Sequence, residues 1–175
     1  MAPMRGWEII EDNKTLRADA SNIAPFLLRL REECEDEYQN ILNVCQIVIP
    51  YLKDFLLKKK TFGKAGEIKK VNLSWKTKYS DFPMQPYHLS DGSIRFICFA
   101  TALLQLDPPF TLITNEPELG LHPEAIHILG ELIRATTQRT QIIIAAQSPL
   151  LVDMFNIENI VVVTRENNQS VFKRK

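Results

Sequence analysis

Long apolar runs are missing from this sequence. None reaches the about 18 residues that a membrane-spanning helix needs, so no such span is expected. The start, "MAPMRGWEII", lacks the apolar stretch of a secretory signal. Cysteine is sparse: Cys34, Cys45 and Cys98 cannot all pair, and reduced thiols in a cytoplasmic protein are the simplest expectation. Net charge is absent as well, with 21 bases against 21 acids. A domain that holds nucleic acid through its overall field is basic, so any such contact here must be a local patch. Internal repeats and low-complexity segments are also lacking.

What is present reads as one α/β domain, or one lobe of a larger one, with 45% hydrophobic residues in a chain of 175. Residues 1–20 are polar and read as irregular or as a short strand. A helix is expected from Ile23, with Ser21 or Asn22 as its cap and Pro25 in its first turn. The acidic stretch Glu32–Glu37 either breaks that helix or forms its exposed face. A second helical segment runs from Ile41 to about Leu57, kinked or divided at Pro50. "GKAG" then predicts a turn, and the alternation of Val71, Leu73, Trp75, Thr77 and Tyr79 predicts a half-buried strand. Lys58, Lys59, Lys60, Lys64, Lys69 and Lys70 crowd this stretch. A solvated face is the ordinary explanation for them, and a phosphate-contacting patch the sharper one.

Beyond Pro86, helices alternate with short apolar strands: a helix over 90–105, a strand over 110–114, a helix over 123–138 and the strand "QIIIAA". A short helical turn, "SPLLVDMF", follows, and then the strands "NIVVVTR" and "SVFKR" around "NNQ". This alternation predicts a mainly parallel sheet covered by helices on both sides.

The chemistry concentrates where strands end. In "FTLITNEPELGLHP" an apolar strand runs straight into Glu116, and Gln147 stands just past "QIIIAA". Ligands of open α/β sheets collect at the carboxyl ends of strands, so both side chains are placed for a site. A helix-capping role fits Glu116 poorly, because the next helix begins at Pro123, seven residues later. Ser90, Asp91, Gly92 and Ser93 open the helix before that strand. Its free N–H groups and positive dipole end suit an anion such as phosphate, although "SDGS" alone is also an ordinary capping turn. His122 and His127 are spaced five apart, which misses the i, i+4 spacing of a helical zinc site. Trp7 and Trp75 suit core or sheet packing better than base stacking.

Taken together, "LSDGS", a helix, a strand ending in "NEPELGLHP", a helix and "IIIAAQSPLLVD" resemble the C-terminal half of an ABC-type ATPase head. The branch is the RecF/SMC/Rad50-like one, and within it the bacterial AAA-type ATPases of the "DEPELGLHP" kind. The likeness covers roughly residues 70–165, and "LRADASNIAPFLLRLREE" resembles the segment before that group's helical insertion. The resemblance implies a P-loop NTPase fold in which residues 1–62 form a helical insertion or lever and residues 63–175 the C-terminal lobe. It implies ATP and Mg2+ as cofactors, sandwiched between two subunits. Glu116 would be the general base that activates water, and Gln147 the switch residue that senses the γ-phosphate. Ser90 and Gly92 would touch the phosphate held by the opposite subunit, with Asp91 and Arg95 flanking them. Glu118–His122 would form the loop that communicates across the dimer, with His122 among the nucleotide-binding residues. The implied partners are a second copy or a P-loop-bearing ATPase subunit, with DNA or a nuclease as further candidates and no membrane.

Three departures qualify this. The phosphate-wrapping motif G-x-x-x-x-G-K-[ST] does not occur; "FGKAGEIKK" has its letters without its spacing. Asn115 stands where the family has Asp, so metal-bound water would find a neutral amide there, an indirect and weak metal contact. Gln147 replaces a frequent His and carries no proton at neutral pH. The chain is therefore expected to be a truncated product, a split subunit or a C-terminal lobe that hydrolyses ATP only with a P-loop partner. The rival expectation is a non-catalytic regulatory lobe docked on a complete ATPase. A plain α/β interaction module whose motifs are relics is a third. Either way, an open sheet edge and apolar face predict self-association.

Overall fold

The computed structural model describes residues 3–63 and 67–174. The expected "GKAG" turn and Lys64 fall largely outside those residues. A short 3-10 turn at Pro3–Arg5 and a two-residue strand, β1 (Glu8–Ile9), lead into α1 (Ile23–Glu33) and α2 (Glu35–Val48). Asn22 sits at the start of α1, but its side chain does not cap the helix. It is fully buried instead, accepting from the Arg17 N–H and donating to the carbonyls of Asp12 and Thr15. A carboxamide has both donors and acceptors, so it can tie down an irregular strap in a way a helix cap cannot. Within the acidic stretch the helix does break, at Cys34, whose φ/ψ of −140°/63° is not helical.

The second helix ends at Val48, and Pro50 divides the segment completely. Residues 52–56 form a strand, β2 (Leu52–Leu56), rather than the continued helix expected from the sequence. The three-residue spacing of Leu52 and Phe55 suits a helix. Pairing with β5 (Ser74–Thr77) overrides it through a register shift between Leu52 and Asp54, and both side chains are fully buried. β3 (Lys60–Phe62) and β4 (Ile68–Val71) pair antiparallel, so the expected boundary at residue 62 falls inside a hairpin. β1 pairs with the other edge of β4. The single strand expected over 71–79 is interrupted at Asn72–Leu73, giving β4 and β5, and β6 (Ser80–Met84) pairs with β5.

Three lysines of this region are engaged locally. Lys59 pairs with Glu32, Lys60 lies over the Trp7 ring and Lys70 over Phe62. These contacts support the solvated-face explanation.

The second half follows the predicted order: α3 (Asp91–Leu104), β7 (Thr111–Asn115), α4 (Pro123–Thr136), β8 (Gln141–Ala145) and a short α5 (Pro149–Val152). β9 (Val161–Glu166) and β10 (Gln169–Arg174) form a hairpin around Asn167 and Asn168, both at positive φ, as a tight two-residue turn requires. The expectation of a mainly parallel sheet is corrected here. Among the described residues only β7 and β8 pair in parallel; every other ladder is antiparallel, and β9 pairs with β10 alone. A parallel pair needs a long crossover, and the crossover through α4 provides it for β7 and β8. The β3–β4, β5–β6 and β9–β10 ladders join consecutive strands without such a helix, and β1 meets β4 antiparallel although α1 and α2 lie between them in the chain. The expected double cover is also incomplete, because Ile113 on β7 and Ile143 on β8 are 72% and 49% exposed.

One apolar core unites both halves. Phe26, Leu27 and Leu30 of α1, Ile41 and Cys45 of α2, Phe55, Trp75, Ile94, Ile97 and Leu129 all belong to it. Cys45 and Cys98 are buried free thiols; burial pushes both up, Cys98 to about 12, so both stay protonated at neutral pH.

Candidate functional site

Because β7 and β8 run parallel and in register, with Asn115 opposite Ala145, both chains leave the sheet at the same end. Glu116 is the first residue past β7. Its N–H donates to the Ala145 carbonyl at 2.7 Å, extending the ladder by one rung. Its φ is +47°, a left-handed backbone that a residue with a side chain adopts only against steric resistance. This bend is how the chain turns from strand into loop while leaving the carboxylate half-exposed at the strand end. Gln147, two residues past β8, donates from Nε2 to Glu116 Oε1 at 2.5 Å. The two side chains singled out from the ends of separate strands therefore touch.

The loop after Glu116 folds back on itself. The Leu119 N–H donates to the Glu116 carbonyl, and the Leu121 N–H to that of Glu118. Gly120, at φ +78°, makes the turn, and His122 stands at the N-terminus of α4 ahead of Pro123, without a capping side-chain bond. The loop passes so close to α3 that a Cβ on Gly92 would lie 2.1 Å from the Gly120 carbonyl oxygen. Glycine at 92 is thus required by close backbone approach.

At α3 the Ser90 side chain accepts from the Ser93 N–H at 3.0 Å, a regular N-cap. Asp91 is not free: Arg5 Nη2 donates to its carboxylate at 2.6 Å and to the Leu89 carbonyl at 3.0 Å. Arg5 stands 86 residues away in a polar leader, and nothing in the sequence pattern points to it.

Two adjoining cavities result. One, of about 220 Å³, lies between Ser90, Gly92, His122 and the end of α2. The other, of about 310 Å³, is lined by Glu116, Glu118, Gln147 and Ser148. Gly120 borders both, so the helix start and the strand-end acid open onto neighbouring space. Asn115 is exposed at the last rung of β7. Among the described residues no three His, Cys, Asp or Glu side chains cluster as a metal cage, so a metal would depend on donors brought with its ligand.

Residues 29–153 match the family model described as "AAA domain, putative AbiEii toxin, Type IV TA system". The chain belongs to this AAA-domain family. No curated protein matches it in sequence. Among solved structures it is similar to an SMC head bound to the C-winged helix domain of ScpA, at 12% identity and a TM-score of 0.64, over 94% of this chain and 48% of that one. It is also similar to an SMC ATPase studied for ATP-driven dimerization and DNA-stimulated activation, at 12% identity and a TM-score of 0.56, over 83% and 86% of the two chains. An Smc head from Pyrococcus furiosus with an extended coiled coil, bound to the C-terminal domain of ScpA, gives 11% identity and a TM-score of 0.53, over 89% and 40%. The AAA-domain chain thus shares the α/β fold seen in SMC heads, and it spans about half the length of the first of them. No helix among its described residues is long and apolar enough to cross a membrane.

Proposed function

We propose that this AAA-family chain is the signature-and-base lobe of an ABC-type ATPase head of the "DEPELGLHP" group, and that it hydrolyses ATP only with a P-loop supplied by another polypeptide. The observation that carries this reading is the Gln147–Glu116 hydrogen bond at the shared exit of two parallel strands. In this reading Glu116 takes a proton from the attacking water, and Gln147 orients the carboxylate and reads the γ-phosphate. Ser90 and Gly92 present the start of α3 to the nucleotide of the opposite subunit. Asp91, held by Arg5, shapes that turn. Asn115 offers a neutral amide to metal-bound water, and His122 closes the groove beside Gly120. Residues present suit part of an Mg2+–ATP site and not all of it: acceptors and amides are here, while the phosphate-wrapping loop and its lysine are not in this sequence.

Partners follow from the same reading. The ATP-driven dimerization named for the SMC ATPase would, carried over, bring the α3 start of one head against the nucleotide of another. DNA or a nuclease partner remains part of this proposal. A second reading, a regulatory lobe that docks on a complete ATPase without catalysing, draws support from the exposed Ile113 and Ile143 face, which suits a covering partner.

The test is ATP hydrolysis by the chain alone and by the chain mixed with a P-loop-bearing polypeptide encoded beside it. Turnover is expected only in the mixture, and Glu116→Gln should lower it at least about 100-fold. A mixture that never hydrolyses ATP, or one indifferent to Glu116→Gln, would leave the regulatory reading.

A further inference from the structure

Glu118 is a buried acid whose neighbours from 117 to 121 are proline, leucine and glycine. Burying a carboxylate is costly unless donors compensate it. Here the donors are two successive backbone N–H groups from across the site. Those of Gln147 and Ser148 both donate to Glu118 Oε1, each at 3.0 Å. The second oxygen, Oε2, is buried and meets no hydrogen-bond partner among the described residues. One carboxylate oxygen thus holds the peptide N–H groups on both sides of the Gln147 Cα, and the Gln147 side chain leaves that backbone to reach Glu116.

We propose that Glu118 is the positioning residue of the site: by clamping the Gln147–Ser148 backbone through Oε1, it holds the Gln147 carboxamide against Glu116. In this role the carboxylate acts through Gln147 rather than on the reacting atoms. Charge-assisted bonds to backbone N–H groups are stronger than neutral ones and fix direction as well as distance. With Glu116 and Glu118 on one loop and Gln147 past the other strand, two side-chain links join the same two chain segments. Loss of the inner link frees the outer one. This assignment rests on the ATPase reading of Glu116 and Gln147 for its importance, and on the hydrogen bonds for its existence.

Hydrogen exchange on the full chain, read by NMR residue by residue, tests it without nucleotide. In Glu118→Ala the Gln147 and Ser148 amides should exchange about 10- to 100-fold faster, while those of β7 and β8 keep their rates. The side-chain NH2 signals of Gln147 should move toward those of a free carboxamide. Glu118→Gln keeps an oxygen at the Oε1 position and should retain most of the protection. Glu118→Asp, one methylene short, should not. Unchanged amides in Glu118→Ala overturn the proposal, and so do opened amides with unmoved Gln147 side-chain signals. Should Glu118→Ala fail to fold, the Gln and Asp variants decide, and equal exchange in those two overturns it. In the hydrolysing mixture, Glu118→Ala should lower kcat about tenfold with little change in KM for ATP. A mixture without hydrolysis would sink the ATPase reading and leave the clamp standing. Normal turnover in Glu118→Ala would sink the positioning role alone.

Discussion

The two halves of this molecule treat their apolar residues differently. From α1 to α3, large side chains such as Phe26, Leu27, Ile41, Phe55, Phe96 and Ile97 are wholly enclosed, and antiparallel hairpins cover one flank of the helices. From β7 onward the parallel pair is half-buried on one side and exposed on the other. Alternate residues Thr111, Ile113 and Asn115, and Gln141, Ile143 and Ala145, face outward, and Phe110 is 96% exposed. Parallel strands are ordinarily covered on both faces. The first region therefore encloses most of the shared core, and the second holds the strand-end part of the candidate site beside an unfinished surface.

Cutting into the enclosed region should have the largest effect. Phe55→Ala removes a fully buried ring that packs edge-on against Tyr38, and should cost about 3–5 kcal/mol of unfolding free energy in a urea titration. Gly92→Ala, at the seam between the regions, should cost about 1–3 kcal/mol, because the new Cβ meets the Gly120 carbonyl rather than a yielding side chain. It should also disturb the site, seen as shifted amide resonances at Gly120 and His122. The smallest effect on folding is expected on the open face. Replacing Ile113 and Ile143 together by Lys should change stability by about 0.5 kcal/mol or less per site. The same pair should lower the apparent mass in light scattering if copies of the chain associate through this face. A large loss of stability there would mean that the face is covered, and the contrast between the halves would fall.

Local signals carried far in this sequence, and non-local ones did not. The helix opening at Ser90, Pro123 as a helix start and a strand over 110–114, observed at Thr111–Asn115, were legible, because each depends on neighbours within a turn or two, whereas the break within Glu32–Glu37 was only one of two readings. The strand at 52–56 was hidden, since its apolar spacing also fits a helix and only its pairing with 74–77 decides. The parallel sheet was over-read for a related reason: alternation of elements shows what connections exist, not which edges meet. At the site, Glu116 and Gln147 were visible as strand-end polar residues. Arg5 was not, because its partner lies 86 positions along the chain. Glu118 stood out only as part of a loop. Its partners are amides 29 and 30 residues further along, which local sequence does not display.

The left-handed bend at Glu116 has a bearing on evolution as well as on chemistry. An L-residue held at φ +47° carries on the order of 1 kcal/mol of backbone strain that a glycine would shed. Selection for backbone stability alone would favour glycine at position 116, with the Gln147 hydrogen bond as the acid's offset. A lineage of this chain that had abandoned its chemistry should drift to glycine or asparagine at this position first, and become tougher as it did so.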